Sequence, residues 1–142
     1  MIGDGRSAFL PFLSFDLHRN RGISFGLFST ESGDGLAMLV LVQFASILVI
    51  GWLLIRAATT IERTGFALIA GGAMGNLVDR AAHGAVTDFL RLHPLGFELF
   101  TFNFADVLIS AGVGLVLLDA FYTATRKTAS GEDPATWRAD GP

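Results

Sequence analysis

Residues 36–55, LAMLVLVQFASILVIGWLLI, run for twenty positions without a charge. A helix rises about 1.5 Å per residue, so the run is roughly 30 Å long, the thickness of a bilayer core. No other segment constrains the chain so strongly, because hydrocarbon forces every backbone donor and acceptor to find a partner within the protein. Arg56 ends the run, and Trp52 stands near that end as an interfacial anchor. Composition agrees: of 142 residues 51% are hydrophobic and 16% charged, where an ordinary soluble domain has about 25% charged. Mean hydropathy is +0.54. The net charge of −3 supplies no basic footprint, so nucleic acid is not an expected partner. The absence of cysteine excludes a disulfide, a thiolate metal site and a cysteine nucleophile. Asp4, Arg6, Asp16, His18, Arg19 and Arg21 break up any basic-then-apolar order that would mark a signal peptide in the first thirty residues.

Two further spans are expected. One runs over about 64–82, and carries Asn76, Asp79 and Arg80 toward membrane depth. The other is FADVLISAGVGLVLLDAFY, residues 104–122, with Asp106 in its first turn and Asp119 near its end. In LSFDLH (13–18), apolar and polar residues alternate with the period of a half-buried strand. NRG (20–22) is a turn candidate from which ISFGLF could return, giving a hairpin over about 13–28. VTDFLRLH, PLG and FELFTF suggest a second hairpin over about 86–102. Both hairpins belong outside the hydrocarbon, where open sheet edges are not tolerated. The expected architecture is a mainly α membrane protein. It has a single membrane-embedded domain over 1–125 and a polar, disordered tail over 126–142. Lys and Arg divide evenly between the two sides, so charge leaves the orientation open.

Asp88, on the second hairpin, and Asp106, at the start of the third span, are the candidate catalytic pair. Folding that hairpin back between two neighbouring helices brings both carboxylates to one membrane surface. Two acids at close range in a low dielectric cannot both ionise easily, so one keeps a proton. One member then activates water while the other protonates the carbonyl oxygen or the leaving amine. Plainer readings exist for each residue. Asn103 with Asp106 fits a helix N-cap, Asp88 a solvated loop acid, and Asp79 with Arg80 a surface pair. His18, His83 and His93 lack metal-ligand spacing, so no metal or other cofactor is expected. Gly71/Gly75 and Ser110/Gly114 form small-xxx-small pairs suited to close helix packing. Asp119 receives no role.

Three blocks together resemble the lipoprotein signal peptidases (signal peptidase II). RNRGISFGLF (19–28) is similar to the family's N-x-G-x-x-F segment, GNLVDRAAHGAVTDF (75–89) to its G-N-x-x-D-R…G-x-V-x-D-F block, and FNFAD (102–106) to its F-N-x-A-D block. The resemblance extends over roughly 13–122 and implies an intramembrane aspartyl endopeptidase with Asp88 and Asp106 as its dyad. Asn20, Asn76, Arg80 and Asn103 would then support the dyad or contact substrate backbone. Asp79 becomes a structural partner, and Gly22 and Phe25 fit the first hairpin. The implied substrates are prolipoproteins bearing a diacylglyceryl-modified cysteine, cleaved just before that cysteine. The implied location is the bacterial inner membrane, with the site facing outward, membrane lipids as neighbours and the protein a monomer.

The family normally has four spans, the first preceding the N-x-G hairpin, and the sequence offers three. The topology this implies favours a missing first helix over a three-helix variant. Two other classes are weighed: a non-catalytic, truncated relative that binds prolipoproteins without cleaving them, and a proton-coupled carrier using Asp79, Arg80 and Asp106. No inverted repeat supports the carrier.

Overall fold

The computed structural model describes residues 7–20, 33–94 and 99–129. In chain order these form β1 (Ser7–Leu10), β2 (Leu13–Asn20), α1 (Gly33–Arg56), α2 (Thr60–His83), β3 (Val86–Leu92), β4 (Phe100–Phe102) and α3 (Phe104–Ala129). The fold is mainly helical, with one small antiparallel sheet. Among the described residues two stretches are long and apolar enough to cross a membrane, Gly35–Arg56 and Phe104–Arg126. Helix α2 has 24 residues, about 36 Å at the helical rise, but carries Glu62 and Arg63 at one end and Asp79 and Arg80 at the other. Leu41, Leu48, Val49, Ile55, Leu117, Leu118 and Phe121 are all exposed. An apolar exterior of this extent calls for a surrounding lipid phase.

The ends of α2 are set by local chemistry. The Thr59 hydroxyl accepts from the Glu62 N–H at 3.0 Å, and the Glu62 carboxylate accepts from the Ala58 N–H at 2.7 Å. That reciprocal arrangement satisfies backbone donors that a helix start leaves open. At the other end Gly84 adopts φ 69° and donates its N–H to the Arg80 carbonyl, a left-handed cap that favours glycine. The chain then turns directly into β3.

The four strands make one sheet in the order β1-β2-β3-β4, with antiparallel neighbours. This differs from two separate hairpins. β2 pairs with β3 from Leu13↔Leu92 to Asn20↔Val86, with an irregularity between Phe15 and His18. Joining the strands satisfies edge N–H and C=O groups that isolated hairpins would leave open. β2 also pairs with β1, which precedes it. The returning segment expected over 23–28, with Gly22 and Phe25, lies outside the described residues. Asn20, expected in a turn, is the last residue of β2. Helix α3 runs on to Ala129, into the segment expected to be tail; Arg126 stacks over the Tyr122 ring at 4.7 Å within it.

Packing between helices uses the expected glycine pairs only in part, through Gly75, where a side-chain carbon would meet Ala105 at 3.6 Å. Nothing lies within 4 Å of a side-chain carbon placed on Gly71 or Gly114. The close approach uses Gly65 and Gly72 on α2 and Gly112 on α3. A methyl group on Gly72 would run into the Ala105 carbonyl and Ile109, and one on Gly65 into Gly112 and Val116. The rising numbers on α2 meet falling numbers on α3, so the helices are antiparallel. Gly65 and Gly72 are seven apart, two full turns, and thus share one stripe. α1 packs on the same helix through Ile47, which joins Ala73 and Leu77 in a small buried cluster. Gly72→Ala is expected to lower stability by about 1–3 kcal/mol through overpacking, and to displace Asp106, next to Ala105. Gly71→Ala should leave both unchanged. Thermal melts in detergent compare the two variants.

Candidate functional site

Asp88 and Asp106 reach the same place from different elements. Along β3, Val86 and Asp88 share a face at the strand period; both are buried, Asp88 with only 2% exposure. Asp106 sits in the first turn of α3, immediately after β4. Burying a carboxylate is costly unless its oxygens are satisfied, and each oxygen here has a donor. Asn20 Nδ2 donates to Asp88 Oδ2 at 3.2 Å, and Asn103 Nδ2 to Asp88 Oδ1 at 2.9 Å. Asn76 Nδ2 donates to Asp106 Oδ1 at 2.9 Å, and the Asn103 N–H to Asp106 Oδ2 at 3.1 Å.

Asn103 also completes the start of α3. Its Oδ1 accepts the Asp106 N–H at 3.1 Å while its own N–H bonds that residue's carboxylate. This is the reciprocal capping arrangement the N-x-x-D spacing suggests. Its Nδ2 further donates to Asn76 Oδ1 at 3.1 Å. Asn103 therefore caps the helix and bridges the acids at once, so the cap and the bridge are complementary readings of one residue.

Arg80 and Asp79 do not form a surface pair. Arg80 Nη1 donates to Gln43 Oε1 on α1 at 2.8 Å, and its charge lies within electrostatic reach of Asp106 and Asp88. Asp79 Oδ2 accepts the Thr87 N–H at 2.6 Å, and Oδ1 lies 2.8 Å from His83 Nδ1. Asp79 thereby ties the end of α2 to the residue preceding Asp88. Two participants escaped the sequence reading. Gln43 was hidden as a neutral residue inside the longest apolar run. His18 was weighed only as a metal ligand, yet it stands directly opposite Asp88 in the β2–β3 register, a pairing across two intervening helices that no local pattern signals.

A cavity of about 520 Å³ opens beside Asp106, lined by Leu92, Phe100, Phe102, Val107, Ser110 and Ala111. A second cavity, of about 320 Å³, is lined by residues including Asn76, Asp79, Thr87, Phe89, Asn103 and Phe104. Phe89 there packs between Phe15 and Phe104, with centroids 6.1 and 6.2 Å away. Asp106 thus lines an apolar recess.

Burial raises the Asp88 pKa above the usual carboxylate value; donors from Asn20 and Asn103 oppose the rise, the negative charge of Asp106 adds to it, and His18 opposes it. The folded protein therefore holds this proton at a pH where the unfolded chain has released it. Stability should fall as pH rises from the ordinary aspartate value through the raised one. Asp88→Asn should flatten that slope. Melting temperature against pH for both proteins checks it.

A family model described as "Signal peptidase (SPase) II" matches residues 2–122. A protein of Methylobacterium radiotolerans named lipoprotein signal peptidase is 43% identical over 117 residues, covering 82% of this chain and 68% of that one. A protein of the same name in Beijerinckia indica is 42% identical over 111 residues, covering 78% and 66%. Among solved structures, a bacterial membrane enzyme determined in meso superposes with a TM-score of 0.75 at 26% identity, covering 89% of this chain and 76% of that chain. Another reaches 0.70 at 27% identity, covering 84% and 76%.

Proposed function

Because the chain belongs to the signal peptidase II family, a family of membrane proteases, we propose that it is an intramembrane aspartyl endopeptidase. Its substrates are prolipoproteins whose cysteine carries a diacylglyceryl group, and it cuts just before that cysteine to release the signal peptide. The observation that carries this reading is the pair of carboxylates bridged through Asn103 and Asn76 beside an apolar recess.

Asp88, favoured in its protonated form by burial, is the acid, and Asp106 the base. Asp106 takes a proton from a water molecule as its oxygen attacks the scissile carbonyl carbon, and Asp88 protonates the carbonyl oxygen. The resulting gem-diol collapses: Asp88 recovers its proton from a hydroxyl, and Asp106 delivers its own to the departing amine. The C–N bond breaks and both acids return to their starting states. Asn20, Asn76 and Asn103 hold the carboxylates in register, Asp79 anchors β3, and Arg80 adds positive charge beside the pair.

Three helices span the inner membrane in this reading, with the sheet on its outer side. A lipidated substrate enters laterally, acyl chains in the bilayer, so its scissile bond lies near headgroup level, where α3 begins. The apolar recess beside Asp106 receives apolar parts of that substrate. The protein acts as a monomer surrounded by lipid.

Asp88→Asn and Asp106→Asn are each expected to lower kcat by about 10²–10⁴-fold or more while the protein stays folded in membranes. Purified protein and diacylglyceryl-modified prolipoprotein, with the unmodified form alongside, provide the assay. Wild-type activity in either variant refutes the dyad, and equal cleavage of both substrates refutes lipid dependence. Chelators and serine- or cysteine-directed reagents should leave the rate unchanged.

A further inference from the structure

Gln43 lies on the inner stripe of α1, one turn from buried Leu39 and one from buried Ile47. A primary amide there requires partners for both ends. Its Nε2 donates to the Ala73 carbonyl at 2.9 Å, and its Oε1 accepts from Arg80 Nη1 at 2.8 Å. The first bond joins two helices, as polar side chains within membranes commonly do. The second is directional toward one guanidinium. A guanidinium has five donors and binds carboxylates readily, yet Arg80 donates to Gln43. The oxygens of Asp88 and Asp106 accept from Asn20, Asn76, Asn103 and the Asn103 backbone.

We propose that Gln43 is a positioning residue for the reaction, holding the Arg80 guanidinium beside the two carboxylates and off their oxygens. This rests on the peptidase reading above. Arg80 stands at the end of α2, where a long side chain can adopt many rotamers. Loss of the Gln43 acceptor frees the guanidinium to swing onto a carboxylate and compete with the asparagines. The reacting acids would then lose their geometry, and displacement on that scale lowers turnover more than binding.

Two substitutions separate this role from simple helix adhesion. Gln43→Leu removes both hydrogen bonds. Gln43→Glu keeps the acceptor for Arg80 but, like Gln43→Leu, loses the donor to the Ala73 carbonyl. Gln43→Leu is expected to lower kcat by about ten- to a hundred-fold with KM within about two-fold of wild type. Gln43→Glu should recover most of that loss. Equal impairment in both variants would assign Gln43 to helix adhesion alone, and wild-type kcat in Gln43→Leu would remove it from the reaction; either overturns the proposal.

A readout independent of cleavage accompanies the assay. In ¹⁵N-arginine-labelled protein in micelles, the Arg80 Nη resonances, identified by their disappearance in Arg80→Lys, should be resolved in wild type and Gln43→Glu. In Gln43→Leu they should shift and broaden as the guanidinium exchanges between the two carboxylates, and an unchanged spectrum overturns the tether. An averaged signal already in wild type overturns the tether. Wild-type protein that fails to cleave lipidated substrate counts against the peptidase reading, while the guanidinium spectrum still decides the tether.

Discussion

A carboxylate buried among apolar helices costs several kcal/mol unless donors surround it, and one asparagine side chain does most to meet that demand. Asn103 starts α3, fixes Asp106 through two reciprocal bonds, and reaches Asp88 and Asn76 with its amide. The backbone position of Asn103 follows from β4, whose Thr101 pairs with Arg91 and whose Phe102 pairs with Leu90. Sheet register and helix start are thus locked together at a single residue. The acids are held by the same bonds that terminate the strand and begin the helix.

The remainder of the fold serves that junction from two sides. From the helices, Gly65, Gly72 and Gly112 let α2 and α3 approach closely enough for Asn76 to reach Asp106. From the sheet, β2 brings Asn20 to Asp88, and the Arg91–Asp16 ion pair at 2.7 Å crosses between β2 and β3. Asp79 links the two halves through the Thr87 N–H. Apolar residues face outward as well as inward, and the polar ones gather at the junction. Ser14, Asn76, Asp88 and Asn103 are buried, while the outer faces of α1 and α3 are apolar, an arrangement suited to a lipid solvent rather than to water.

Helices α1 and α3 were legible in the sequence because strongly apolar runs near membrane length have few other structural solutions, whereas the uncharged part of α2 is short. The meeting of Asp88 with Asp106 depended more on the resemblance of whole blocks than on spacing, since each acid alone fits an ordinary loop or cap. Strand alternation does place Asp88 on the same face as Val86, so its burial was within reach of the pattern. The sheet order was not: β2 joins β3 across the intervening helices α1 and α2, and local hairpin signals carry no information about such pairings. The glycine contacts were read only in part: Gly75 does meet Ala105, but the tightest approach on α2 uses Gly65 and Gly72, seven apart, and Gly71 lies off it. Gln43 stayed hidden because its partners lie on another helix.

The central claim is that Asp88 and Asp106 sense each other's charge. Observing the Asp88 carboxyl by ¹³C NMR across a pH titration in micelles, in wild type and in Asp106→Asn, tests this without substrate. The negative charge of Asp106 contributes to the raised Asp88 pKa, so removing it should move the Asp88 midpoint down toward the ordinary aspartate range. An identical midpoint in the two proteins would show that the carboxylates titrate independently, and would contradict the account.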